Sequence, residues 1–328
     1  MRAARRHAGR RDDPVLKPGM QRLHSWQLFA VCVLTWGTTW HAITYQLGAT
    51  SPEFGVTLRF ALAGTVVLAF CAWRGIGLRF AARQHAWFAL QGVFMYGVSY
   101  LCVYHAEQLL PSGLVAVGYS ASPLVNGIGA RLLFGAALSR RFVAGGLLGL
   151  AGVALVFWPE FGHARAGATT ALGALLTVGA VLLSGVGSLS ASRNAVRGLP
   201  FWPALGFGML YGALACAMAT LLDGRPLVLP TAASWWIALL YLALAGSVLT
   251  FSCYLTLVQR LGPGPSGAIG VMTPLLALVV SALFEHYRPD ALTALGAALA
   301  VAGNVLMLRR GNSAAAAPKV RDAVPATE

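Results

Sequence analysis

Hydrophobic residues fill this chain in long runs, and the polar residues collect in the short gaps between them. Ten runs have the length of a membrane-crossing helix, about 17–25 mostly apolar residues. They lie near 26–46, 54–73, 86–106, 113–134, 142–158, 170–191, 203–222, 234–257, 266–285 and 290–308. The pattern predicts an all-α polytopic membrane protein with ten transmembrane helices.

The runs also repeat. Gln108 and Gln259, Leu110 and Leu261, Pro123 and Pro274, and Gly152 and Gly303 all lie 151 positions apart. Five runs per copy is an odd number, so the second copy is expected to cross in the opposite sense. Inverted repeats of this kind build alternating-access transporters, with the substrate site near the bilayer midplane at the repeat interface. The organisation predicted is a basic cytoplasmic tail (1–25), a first repeat (26–158), a second repeat (168–310) and a disordered cytoplasmic tail (311–328).

Composition agrees with this class. Charged residues make up 10% of the 328 positions and hydrophobic residues 57%, against roughly 25% charged in an ordinary soluble chain. The net charge of +14 invites a nucleic-acid reading, but its placement argues against one. With the N-terminus inside, 20 of the 24 Lys and Arg fall in cytoplasmic segments, three fall outside, and Arg59 lies within a span. That is the positive-inside bias of a plasma-membrane protein with both termini cytoplasmic. The five cysteines all fall inside predicted spans, so no disulfide framework is expected, and no cleavable signal peptide is read at the start.

Particular residues carry a family resemblance. Trp36-Gly37-Thr38-Thr39, Thr57-Leu58-Arg59-Phe60 and Ser122-Pro123-Leu124, followed by Thr273-Pro274-Leu275 and Ala302-Gly303, resemble the two repeats of EamA-type transporters of the drug/metabolite transporter superfamily. The resemblance runs over about 26–310. It implies a secondary transporter of small metabolites, amino acids or related zwitterionic or neutral solutes, moving outward across a bacterial inner membrane. Two departures mark this chain. The acidic residue often found after helix 4 is replaced in Phe134-Gly135-Ala136-Ala137, whereas the second repeat keeps Phe284-Glu285. The second repeat also reads Gly185-Val186-Gly187 where Trp36 would map. An asymmetric substrate site follows.

Candidate pathway residues come from polarity at depth. Pro123 and Pro274 occupy equivalent places near midplane, where a helix-interior proline frees a carbonyl. They are read as hinges or pathway linings, with a packing kink as the alternative. Arg59 is the basic residue inside a span, at a cost of about 2.5–3.5 kcal/mol on insertion scales if central. It is open to three readings: snorkelling, a structural pair with Glu53 or Glu107, or a contact to a substrate carboxylate. Trp36, Thr39 and Trp40 share a face of helix 1, and Tyr96, Tyr100 and Tyr104 form a stripe on helix 3. Tyr119, Ser122 and Asn126 follow on helix 4, with Tyr254 and Thr273 in the second repeat. Trp36, Tyr100, Tyr119, Asn126 and Thr273 are expected to border one midplane pocket flanked by the two prolines. Gly145, Gly149 and Gly152, and their counterparts Gly296, Ala300 and Gly303, form small-residue ridges suited to close helix packing or to dimerisation.

Absences complete the reading. Glu53, Glu107 and Glu285 map near outer helix ends, which disfavours a cation/proton antiporter. No Walker loop and no clustered His and Cys appear, so neither a cofactor nor a metal site is expected. The expected partners are a small-molecule substrate and membrane lipid, with a homodimer left open and no nucleic acid. The alternative functions are a nucleobase or drug exporter and, less favoured, a membrane-embedded enzyme or lipid-translocating scaffold.

Overall fold

A computed structural model of the chain describes residues 23–135, 137–161, 167–224, 228–261 and 269–308. Of the two expected tails, residues 1–22 of the first (1–25) and all of the second (311–328) lie outside the described residues, as do residues 262–268. Every regular element among the described residues is helical. In chain order we label α1 Ser25–Thr44, α2 Pro52–Trp73 and α3 Ala82–Glu107. The next, α4, comprises Ser112–Gly118, a 3-10 turn Tyr119–Ala121 and Ser122–Phe134. Then come α5 Arg140–Phe161, α6 Gly167–Val196 and α7 Phe201–Asp223. The run α8 joins Ala233–Leu240, Tyr241–Leu249 and Thr250–Leu261, and is followed by α9 Ile269–Phe284 and α10 Ala291–Leu308.

Among the described residues seven helices are long and apolar enough to cross a membrane, and α9 is a shorter apolar helix. Ten runs were expected. The shortfall has local causes: α1 mixes Trp36, Thr38, Thr39 and His41 into its apolar face, and the 3-10 turn cuts α4 into pieces of seven and 13 residues.

The two halves share backbone irregularities as well as residues. A π-helical stretch, Val93–Val98, sits inside α3, and another, Tyr241–Leu249, sits inside α8 at the 151-residue offset. Such wide turns are rare and often mark functional positions. Gly135 (φ 69°) and His286 (φ 56°), also 151 apart, both hold the left-handed backbone just after a helix. Glycine takes this conformation freely, whereas a residue with a Cβ does so at a cost.

Packing crosses between the halves. The glycine ridges of α5 and α10 meet each other, the most extensive helix pairing in the fold. A Cβ added at Gly145 would lie 2.5 Å from the Gly303 carbonyl, and one at Gly152 would lie 2.5 Å from that of Gly296. These ridges are therefore spent inside the chain. On the far side α7 packs on α2 and α3, where an added Cβ at Gly64 would sit 2.9 Å from the Gly206 carbonyl. Between these edges, α1 lies against α8 and α9, and α6 lies against α3 and α4. Leu132, Leu147, Leu175, Leu221 and Leu283 remain exposed around the outside, as a lipid-facing surface requires.

Candidate functional site

The helices of the two halves converge at Gly246, in the π-helical stretch of α8. Trp36 Nε1 donates to the Gly246 carbonyl at 3.0 Å. A Cβ added at Gly246 would meet Thr39 Cγ2 at 2.7 Å and Arg59 Nη2 at 3.8 Å. The missing side chain lets α1 and the Arg59 guanidinium approach the α8 backbone. A second tie runs beside it, since the Tyr241 hydroxyl lies 2.6 Å from Thr38 Oγ1.

Aromatic rings extend from this point as one chain. Trp36 contacts Tyr254 (5.6 Å between centroids) and Phe251 (5.3 Å). Phe251 contacts Tyr96 at 6.3 Å, Tyr96 contacts Phe60 at 5.3 Å, and Phe60 contacts Tyr100 at 4.7 Å. Trp40 meets Tyr119 edge-on at 5.2 Å, across α1 and the broken turn of α4. The fold thus joins Trp36, Tyr96, Tyr100 and Tyr254 in one row and sets Trp40 against Tyr119.

Arg59 ends that row. It is 2% exposed, about two turns in from Pro52, with its guanidinium 4.7 Å from the Tyr100 ring centre and 5.2 Å from that of Phe60. Its Nε and Nη1 have no hydrogen-bond partner. The structural pair with Glu53 is not made: Glu53 Oε1 instead lies 2.8 Å from His105 Nε2. Glu107 is within electrostatic range of Arg59 but forms no ion pair with it, and both of its oxygens are buried without a partner. At 7% exposure Glu107 is a buried carboxylate, which the expectation from helix ends did not foresee. Beside it, the Tyr104 hydroxyl donates to Gln46 Oε1 at 2.7 Å, leaving Gln46 Nε2 unbonded.

Other expected residues are satisfied locally. Thr39 Oγ1 donates to the Trp36 carbonyl at 2.8 Å, and Thr273 Oγ1 donates to that of Ile269 at 2.8 Å. Pro123 would otherwise have bonded the Tyr119 carbonyl. Ser122 Oγ takes that carbonyl at 2.7 Å, while Asn304 Nδ2 reaches the neighbouring Ser120 carbonyl at 3.1 Å. The freed backbone is thereby used in packing α4 against α10. Pro274, by contrast, sits inside an unbroken helix. Asn126 stands apart on α4, near Gly185 of α6, with its Oδ1 buried and unbonded.

A further cluster closes one end of the half-to-half interface. Glu285, just past α9, accepts from the Ser112 backbone N–H at 2.9 Å, from Ser281 Oγ at 2.8 Å and from Ser112 Oγ. Its Oε1 also lies 3.0 Å from His41 Nδ1. One carboxylate so ties α1, α4 and α9. At the opposite end, the second piece of α4 buries none of its residues.

Comparison with known proteins places this arrangement. The EamA-like transporter family model matches the chain twice, at 25–158 and 171–309. The uncharacterized inner membrane transporter YedA of Escherichia coli K12 is 29% identical over 77% of this chain and 80% of its own. Protein PecM of Dickeya dadantii is 26% identical over 80% and 84%. The aromatic amino acid exporter YddG of Ancylobacter novellus is 27% identical over 83% and 92%. A solved crystal structure shares the fold with a TM-score of 0.63 at 23% identity, covering 86% of this chain and 96% of that one. With the family's domain present twice in an all-helical membrane chain, this protein belongs to the EamA-like transporter family of drug/metabolite transporters.

Proposed function

We propose that the chain exports small zwitterionic metabolites, neutral amino acids foremost, across the bacterial inner membrane by alternating access between two inverted five-helix repeats. Ten spans with both termini cytoplasmic belong to this reading. The observation that carries it is the pair Arg59 and Glu107: a guanidinium and a carboxyl group, both buried, with Nε, Nη1 and both carboxyl oxygens unbonded. An ionised group buried without a partner costs several kcal/mol. A solute bearing a carboxylate and an ammonium would supply both at once. The row Trp36, Phe251, Tyr96, Phe60 and Tyr100 offers faces for an apolar or aromatic side chain. The relative named as an aromatic amino acid exporter supports the same class.

Alternating access draws support from the unequal ends of the interface. Glu285 ties α1, α4 and α9 at one end, and no residue of the second piece of α4 is fully buried at the other. Transport would exchange which end is tied.

The test is a solute screen in everted membrane vesicles from cells with and without the protein. Neutral amino acids should accumulate only where the protein is present. Accumulation of nucleobases or cationic drugs instead, or of nothing in the panel, would refute the reading.

A further inference from the structure

A second polar cluster lies away from the helix interface just described. Arg83 stands in the first turn of α3, Trp87 one turn further on, and Arg193 and Arg197 at the end of α6 and just beyond it. With Gln84 and Leu199 they line a cavity of about 180 Å³. Arg193 lies with its guanidinium 3.7 Å from the Trp87 ring centre. Its Nη1 donates to Asn194 Oδ1 at 3.3 Å, and the buried Asn194 donates in turn to Gln91 Oε1 at 3.1 Å. Stacking and hydrogen bonding therefore hold this cation in place. Arg83 and Arg197 are both within electrostatic range of it. Among the described residues no carboxylate forms an ion pair with any of the three.

Three cations gather around this cavity without a bonded carboxylate, and Arg83 and Arg197 are exposed, so the cluster is open to an anion from outside the chain. Depth says which anion. Arg83 begins the apolar span Ala82–Glu107, and Arg193 and Arg197 straddle the end of the span Ala168–Val196. Both ends lie at the level of lipid headgroups, where tryptophan also concentrates. Basic pockets between membrane helices at this depth suit anionic lipid phosphates. We propose that Arg83, Arg193 and Arg197 seat the phosphodiester of an anionic phospholipid, with Trp87 and Leu199 against its glycerol and upper acyl carbons.

The test uses the purified full chain in detergent, with lipid retention read by native mass spectrometry and stability by thermal unfolding. The probes are phosphatidylglycerol, phosphatidylcholine and inorganic phosphate. Wild type should retain phosphatidylglycerol in preference to phosphatidylcholine and gain stability from it, with no such gain from millimolar inorganic phosphate. The double variant Arg83→Gln, Arg197→Gln should bind phosphatidylglycerol about thirtyfold more weakly, at about one decade and a half for two charges. Its unfolding temperature in phosphatidylcholine should match wild type, which separates lost binding from lost folding. Equal retention of the two lipids, undiminished binding by the variant, or full stabilisation by inorganic phosphate would each overturn the proposal.

Discussion

The Trp36 indole nitrogen donates to the Gly246 carbonyl at 3.0 Å, joining helix α1 to the π-helical stretch of α8. A π-helical stretch shifts the backbone register and leaves a carbonyl short of its usual donor. The indole N–H gives the Gly246 carbonyl in that stretch a donor from another helix. Replacing Trp36 with Phe keeps a ring beside Phe251 and Tyr254 but strands the carbonyl. We predict a loss of about 1–3 kcal/mol of stability, the usual cost of an unsatisfied buried group. Thermal unfolding in detergent checks this, and an unchanged midpoint would show that the carbonyl finds another donor.

The α5–α10 contact gives a packing prediction. An added Cβ at Gly152 would sit 2.5 Å from the Gly296 carbonyl, with backbone and not a flexible side chain in the way. Gly152→Ala should therefore force the helices apart and lower folded yield, with about 1–3 kcal/mol of destabilisation. The same change at Gly179, where nothing lies within 4 Å, should be harmless by this measure. Equal yields for the two variants would contradict the close packing.

Much of the fold was legible because a repeat is a property of the residues themselves. The 151-residue offset between Pro123 and Pro274, or between Gly152 and Gly303, needs no coordinates. Arg59 was legible for a similar reason, since a lone cation in an apolar run is conspicuous. Glu107 was not. It was read only as lying near an outer helix end and as one possible partner of Arg59, and its burial depends on neighbours distant in sequence. The two prolines show the same limit. They are equivalent in sequence, yet the Pro123 helix breaks into a 3-10 turn that Ser122 and Asn304 support, while the Pro274 helix continues without interruption. The π-helical stretches also left no local signature that could have been read beforehand.

The proposed topology rests on the placement of the basic residues and can be checked directly. A reporter active only in the cytoplasm should work when fused after residue 310 or near residue 78, and should be silent near 164. Activity at 164 or silence at 310 would contradict the orientation and, with it, the inverted repeat.

Arg59 tests the site more closely. Arg59 pairs with no carboxylate among the described residues and hydrogen-bonds Tyr104, which leaves its Nε and Nη1 for a substrate, and a hydrogen bond to a charged group contributes about 1.5–3 kcal/mol. Arg59→Ala should slow transport by roughly tenfold to a hundredfold, and Arg59→Lys, which keeps the charge without the planar fork, by less. Folded yield measured alongside should change little. Full transport by the Ala variant would make Arg59 a bystander.

The central claim is that Arg59 and Glu107 are the two poles of a site for zwitterions. The most direct measurement is counterflow of a radiolabelled neutral amino acid in proteoliposomes, comparing wild type with Glu107→Gln. Wild type should accumulate label against preloaded unlabelled amino acid, and Glu107→Gln should lose most of that signal while still unfolding at the wild-type temperature. Absence of counterflow for any neutral amino acid in wild type, or undiminished counterflow in a folded Glu107→Gln variant, would contradict the account.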